Sequence, residues 1–204
     1  MPEYYEEIRP TLKTGDIILF SSHLSLFGRV IRIFTRSQWT HVGVVIRFND
    51  PFDVVTLWEA DQGVGCVYLT NLGSRVKQFR GDITVRHLKG IELSDSDIAA
   101  LYNIREKFKY LKYERLPFIQ LLRSALDYGW GFFGKNQVRD LSELFCSELV
   151  AETLQQLGLL SKELPSNEYV PGDFSEKNTN FKLLRGYYGP EIAIKTRKRR
   201  LGIF

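Results

Sequence analysis

Cysteine is scarce in this chain, with two residues in 204, Cys66 and Cys146. A disulfide-stapled scaffold is therefore excluded, and inside a cell both are read as free thiols. Metal-ligand spacing is also missing. His23, His41 and His87 have no second Cys or His at the intervals of a zinc site, so neither a metal nor any other cofactor is expected. No apolar run is long enough to cross a bilayer. The acidic opening Met1-Pro2-Glu3-Tyr4-Tyr5-Glu6-Glu7 lacks the apolar stretch of a secretory signal, so an intracellular, cytoplasmic location is expected. Walker, GxGxxG and GxSxG patterns are absent, which removes the common nucleotide-binding loops and the serine nucleophile elbow. No Pro-, Gly- or Ser-rich linker divides the chain. It reads as one domain over residues 1–194 followed by a basic tail at 195–204.

What is present is ample core material. A chain that is 44% hydrophobic can bury a sizeable interior at this length. The net charge of +4 is local in origin, because Lys195-Thr196-Arg197-Lys198-Arg199-Arg200 holds five cations in six residues. That segment reads as a solvated tail, with a nuclear address or attraction to anionic lipid or nucleic acid as the alternatives. Elsewhere acids and bases are mixed, so the protein as a whole is not expected to bind nucleic acid.

Residues 12 to 90 read as strand-dominated. Asp16–Phe20 follows a Thr14-Gly15 turn, and Leu24–Thr35 has the apolar spacing of a helix with a basic face (Arg29, Arg32, Arg36). Strands are expected at His41–Phe48 and Asp53–Ala60, joined by a turn at Asn49-Asp50-Pro51-Phe52, and again at Cys66–Leu72 and Ile83–Leu88. Both faces of the hairpin are apolar, with Val42, Val44 and Ile46 on one and Val45, Val55 and Leu57 on the other. The sheet should be covered on both sides. Helices follow: one capped in Ser94–Asp97 and running through Phe108 to Leu111 or Lys112, and one started by Pro117 and ending near Gly129, before the Gly129–Gly134 loop. A third is entered through Asp140 and Glu143, or Ser142, and stops at Gly158. Tyr169–Phe174 reads as a turn and Glu191–Lys195 as a final edge strand.

Cys146 carries the chemistry. A thiol in the first turn of a helix faces unpaired N–H groups and the positive end of the helix dipole, which favour thiolate. With a histidine in reach it becomes a nucleophile. If Phe48 pairs with Phe52 across a three-residue loop, His41 lies directly opposite Glu59, with Cβ atoms ~4.5–5.5 Å apart. The carboxylate would then fix the imidazole tautomer. A register moved by two residues would instead set Asp61 opposite His41. Cys146 leads an apolar stripe of Leu149, Val150, Thr153 and Leu157, which aims it at the sheet. The bland reading of each residue is packing: Cys66 and a lone helix cysteine as small hydrophobes, the histidine as structural, the glutamate as a solvated charge.

Five segments in order carry a resemblance. They are Leu12-Lys13-Thr14-Gly15-Asp16-Ile17-Ile18-Leu19-Phe20, Trp39-Thr40-His41-Val42-Gly43-Val44-Val45, Leu57-Trp58-Glu59-Ala60, Phe145-Cys146-Ser147-Glu148-Leu149-Val150 and Pro171-Gly172-Asp173-Phe174. The set resembles the permuted papain-like branch of the NlpC-type superfamily, the YiiX-like amidase group. The resemblance implies an α+β fold in which an antiparallel, partly barrelled sheet packs against the nucleophile helix. It also implies Cys146 as nucleophile, His41 as base and then acid, and Glu59 as the orienting third member.

The expected function is a cysteine hydrolase that cleaves an amide or ester through an acyl-enzyme. Its substrate would be a small amide, a peptide or a lipid. A rival is acyl transfer on lipids, because lecithin:retinol acyltransferase-like proteins share the histidine-before-cysteine order, with the basic tail meeting an anionic membrane. A third reading is a non-catalytic module that binds peptide or lipid in the same groove.

Overall fold

A computed structural model describes residues 3–22, 32, 37–49, 51–61, 64–111 and 146–195. The expected Leu24–Thr35 and Pro117 helices, the Gly129–Gly134 loop, the Asp140 and Glu143 cap, His23 and the tail from 196 onward lie outside these residues, Arg32 excepted. Two short elements open the chain, β1 (Glu3–Tyr4) and α1 (Tyr5–Ile8), followed by a 3₁₀ turn at Arg9–Thr11. Then come β2 (Ile17–Ser22), β3 (His41–Phe48), β4 (Val54–Asp61), β5 (Cys66–Asn71), α2 (Leu72–Gln78), β6 (Gly81–Arg86) and β7 (Leu88–Lys89). Helices α3 (Asp95–Phe108) and α4 (Cys146–Gln156), 3₁₀ turns at Ser166–Glu168 and Pro171–Phe174, and strands β8 (Tyr187–Tyr188) and β9 (Ile192–Lys195) complete it.

Seven strands form one sheet in the order β1-β9-β6-β2-β3-β4-β5, antiparallel except where β1 pairs with β9. The fold is thus α+β, as expected, but the sheet is open rather than partly barrelled. The chain leaving α3 pairs with the β5 edge at Val67, which donates to the Leu111 carbonyl and accepts from the Tyr110 N–H, each at 2.9 Å. That contact covers part of an otherwise open edge. The final strand is not an edge either, because β9 lies between β6 and β1.

Period-two alternation sorts the sheet residues into two cores. Ile17, Leu19, Val42, Val44, Ile46, Trp58 and Ala60 face α3 and α4, where Leu101, Ile104, Phe108, Leu149, Val150 and Leu154 meet them. Ile18, Phe20, Val45, Val55, Leu57, Ile83 and Val85 face α1 and α2, through Tyr5, Ile8, Leu72 and Val76. Both faces are covered, as the hairpin pattern predicts. Helix α4 departs from its expected one-sided stripe, since every residue from Cys146 to Gln155 is buried, Glu148 and Glu152 included. A helix covered on all sides lies inside the domain rather than on its surface.

The β3–β4 register differs from the expected one by two residues. Phe48 pairs with Val54 and Val44 with Trp58. The connection therefore holds five residues, 49–53, instead of three. Asp53 accounts for the longer loop: its carboxylate is drawn to Arg9 at 2.9 Å and to Arg47 at 2.8 and 3.0 Å, away from the ladder. Helix α2 stands where the sequence suggested only the end of a strand. Asn71 caps it by accepting from the Ser74 N–H at 3.0 Å.

Candidate active site

His41 opens β3 beside a well-fastened stretch of chain. Thr40 donates its N–H to the Phe20 carbonyl at 2.8 Å, and its hydroxyl accepts from the Ser22 N–H at 3.1 Å. The indole N–H of Trp39 donates to Ser175 Oγ at 3.3 Å and to Glu191 Oε1 at 3.1 Å. Gly172 of the Pro171–Phe174 turn lies so close to Ser37 that an added Cβ would meet its Cβ at 2.5 Å. A side chain there would push the turn off the segment that delivers His41. The Pro-Gly-Asp-Phe motif thus supports the histidine from behind.

Continuing the β3–β4 register sets Asp61 across from His41 and Glu59 across from Gly43. The imidazole nonetheless reaches Glu59, its neighbour along the diagonal of the same face, with Nε2 2.6 Å from Oε2. A two-residue shift preserves the face, which is why the His41–Glu59 pairing survives a mistaken register. The expectation of Glu59 directly opposite His41 is corrected accordingly. A carboxylate only accepts, so Nε2–H is the donor and Nδ1 is the remaining ring nitrogen. Cys146 lies close enough for its side chain to act on the His41 ring. Of the three residues singled out in the sequence, His41 and Glu59 are hydrogen-bonded and Cys146 lies near the imidazole.

Burial alone would pull the His41 pKa down, but the charge and hydrogen bond of Cys146, then the hydrogen bond and charge of Glu59, raise it to about 10. That direction favours the protonated imidazole. The ring stays partly exposed, at 13%, whereas the Glu59 side chain is fully buried. Phe20 packs against the imidazole at 5.5 Å between ring centroids.

Arg75 belongs to the same cluster and was not foreseen from the sequence. It projects from α2, donates Nε–H to both Glu59 oxygens at 3.0 and 3.2 Å, and donates from Nη2 to Asp61 Oδ2 at 2.7 Å. A Cys–His–Glu run therefore continues into an Arg–Asp pair. The signal in the sequence was the Asn71 cap, which begins a helix and puts Arg75 one turn along it. Cys66 is free and partly buried at the start of β5.

His87, the other histidine described, belongs to a different structure. Its Nδ1 lies 2.8 Å from Asp16 Oδ2, and that carboxylate also accepts from the Lys13 N–H and the Leu88 N–H, both at 2.9 Å. Asp16 of the Lys13–Phe20 motif ties the β2 entry to the β6 exit. Its task is structural.

One ligand atom each from His41, Glu59 and Asp61 lies within 4.8 Å of the others, and such a donor set suits zinc and similar ions. The arrangement does not fit a metal. Two donors on one tetrahedral ion stand roughly 3.3–3.6 Å apart, given bonds of about 2.0–2.2 Å. The 2.6 Å His41–Glu59 contact is a hydrogen bond instead. Both carboxylates are also taken by Arg75.

No protein-family model matches the chain, and no curated protein matches it. Among solved structures, the metalloprotein YiiX from Escherichia coli O157:H7, described as DUF1105, superposes with a TM-score of 0.51 at 20% identity. The match spans 90% of this chain and 96% of YiiX, so the two share an overall fold.

Proposed function

We propose that the protein is a cysteine hydrolase of the permuted papain-like kind, acting on an amide or ester through an acyl-enzyme. One observation carries the reading: the His41 imidazole is hydrogen-bonded to Glu59 and lies beside the Cys146 side chain. That order is what a thiol nucleophile needs, a base in contact and a carboxylate that orients the base. The order of a histidine strand before a cysteine helix, on a fold shared with YiiX, supports it further.

In the proposed reaction the Cys146 sulfur attacks the carbonyl carbon, and the carbonyl oxygen gathers negative charge near the Cys146 backbone N–H. His41, holding the proton taken from the thiol, passes it to the leaving amine or alcohol as the C–N or C–O bond breaks. The neutral ring then takes a proton from water, which attacks the thioester and releases the acid. Glu59 keeps Nε2–H bound throughout, so that Nδ1 performs both transfers.

Iodoacetamide alkylation near neutral pH, read by mass spectrometry, tests the reading. Cys146 is 5% exposed and Cys66 is more open, so simple access predicts faster labelling of Cys66. An activated thiol reverses that order, and His41→Ala abolishes the reversal. Equal or slower labelling of Cys146 would falsify the hydrolase reading. A mass increment found on Cys146 in protein exposed to amide, peptide and lipid ester libraries identifies the acyl group.

A further inference from the structure

Arg75 is held from four sides. Glu59 and Asp61 accept its N–H groups, and its guanidinium carbon lies 5.1 Å from the centre of the Phe20 ring and 5.6 Å from that of Phe79. The side chain is only 19% exposed. Two carboxylates at successive same-face positions of β4, with an imidazole beside them, form a cluster that attracts positive charge. A divalent ion bound by His, Glu and Asp is one solution to that attraction. A planar guanidinium whose fork spans both carboxylates and whose faces meet aromatic rings is another, and it needs no ion from solution.

We propose that Arg75 is the resident cation of the His41–Glu59–Asp61 cluster, supplying the charge that a divalent metal would otherwise bring and keeping such an ion out. The short His41–Glu59 hydrogen bond and the Arg75 bridges belong together, because a metal would have to break both to gain its ligands. The inference concerns metal exclusion and does not depend on the hydrolase reading. It applies equally if the chain has no enzymatic activity.

Cobalt(II) titration of the full chain tests it, monitored by visible absorption. The Cys146→Ala background removes the thiol as a ligand and separates the result from any catalytic question. With Arg75 in place, millimolar cobalt is expected to give no absorption that Glu59→Gln removes. Arg75→Gln is expected to bind cobalt at least tenfold more tightly, and adding Glu59→Gln is expected to erase the gain. Cobalt binding through Glu59 in the Arg75-containing protein overturns the proposal, and so does a folded Arg75→Gln protein that gains no site. If Arg75→Gln does not fold, the first measurement still decides. Arg75→Lys then serves as second variant: it keeps one charge but cannot span both carboxylates, so a partial gain supports the proposal and no gain in folded protein overturns it.

Discussion

His41 bonds Glu59 at 2.6 Å although Asp61 is the residue set across from it in the hairpin. The diagonal contact leaves Asp61 for Arg75, and one hairpin face thereby serves two cations with two acids. Because the ring is flanked by Cys146 and Glu59, its pKa lies at about 10 rather than near 6.5. In a ¹⁵N-edited NMR titration, His41 should therefore remain protonated at pH 8. Cys146→Ala removes the largest raising contribution and Glu59→Gln a further one, so each should lower the midpoint. A wild-type midpoint near 6.5 would contradict the ion-pair description.

The same shift makes stability depend on pH with a definite sign. A group whose folded pKa is raised stabilises the fold fully below its unfolded value, about 6.5 for histidine, and loses that contribution as pH climbs through about 10. Urea midpoints should thus fall between pH 7 and pH 10 in the wild type. His41→Gln should flatten that part of the profile.

Gly43 separates His41 from Val45 on one face of β3. An added Cβ would meet Leu57 Cδ1 at 2.8 Å and the Trp58 carbonyl oxygen at 3.0 Å, and neither β4 atom has room to move in a packed sheet. Gly43→Ala should cost about 1–3 kcal/mol in chemical denaturation. It should also slow alkylation of Cys146, because the strand spacing that aims His41 at Glu59 would widen.

Arg86 of β6 is buried and donates to three carbonyls: Gly189 at 2.8 Å, Phe174 at 2.7 Å and Tyr188 at 3.0 Å. Burial lowers its pKa, with the charges of Glu191 and Glu176 acting against the change. Arg86→Met keeps the volume and abandons all three acceptors, each a loss on the order of 1 kcal/mol or more. A fall in Tm of roughly 6–12 °C is expected by calorimetry for a chain of this size. Since Phe174 ends the turn that backs the His41 segment, Cys146 labelling should slow as well.

Ser94 and Asp97 close the start of α3. The Asp97 N–H donates to Ser94 Oγ at 3.2 Å, and the Ser94 N–H donates to Asp97 Oδ2 at 3.0 Å. Arg185, followed by Ser94, holds the Asp97 pKa at about 2. The stabilisation from this acid is present above pH 4 and disappears as pH falls through about 2. Ser94→Ala should cost about 0.5–2 kcal/mol at neutral pH, measured by urea denaturation.

Much of the site was legible in order along the chain. His41 and Glu59 fell on one strand face, and Cys146 fell on a helix that packs against the same sheet. The hairpin register was misjudged because the pull of Arg9 and Arg47 on Asp53 comes partly from a distant segment that local turn rules do not include. Helix α2 was overlooked because Leu72-Gly73-Ser74-Arg75 is short, contains glycine and follows a strand without a break. With it went Arg75, whose partners are far away in sequence. Asp16 and His87 were seen separately, and only the sheet brings them 2.8 Å apart.

Local chemistry, written in side-chain period and capping residues, determined which segments are strands or helices and which residues share a face. Those properties depend on neighbours two to four positions away, so a linear reading reaches them. The tertiary structure decided which acid meets the imidazole, which cation steadies that acid, and that the sheet stays open. Those outcomes depend on distances between segments tens of residues apart, where packing and buried charge select one arrangement among several that the local pattern permits equally.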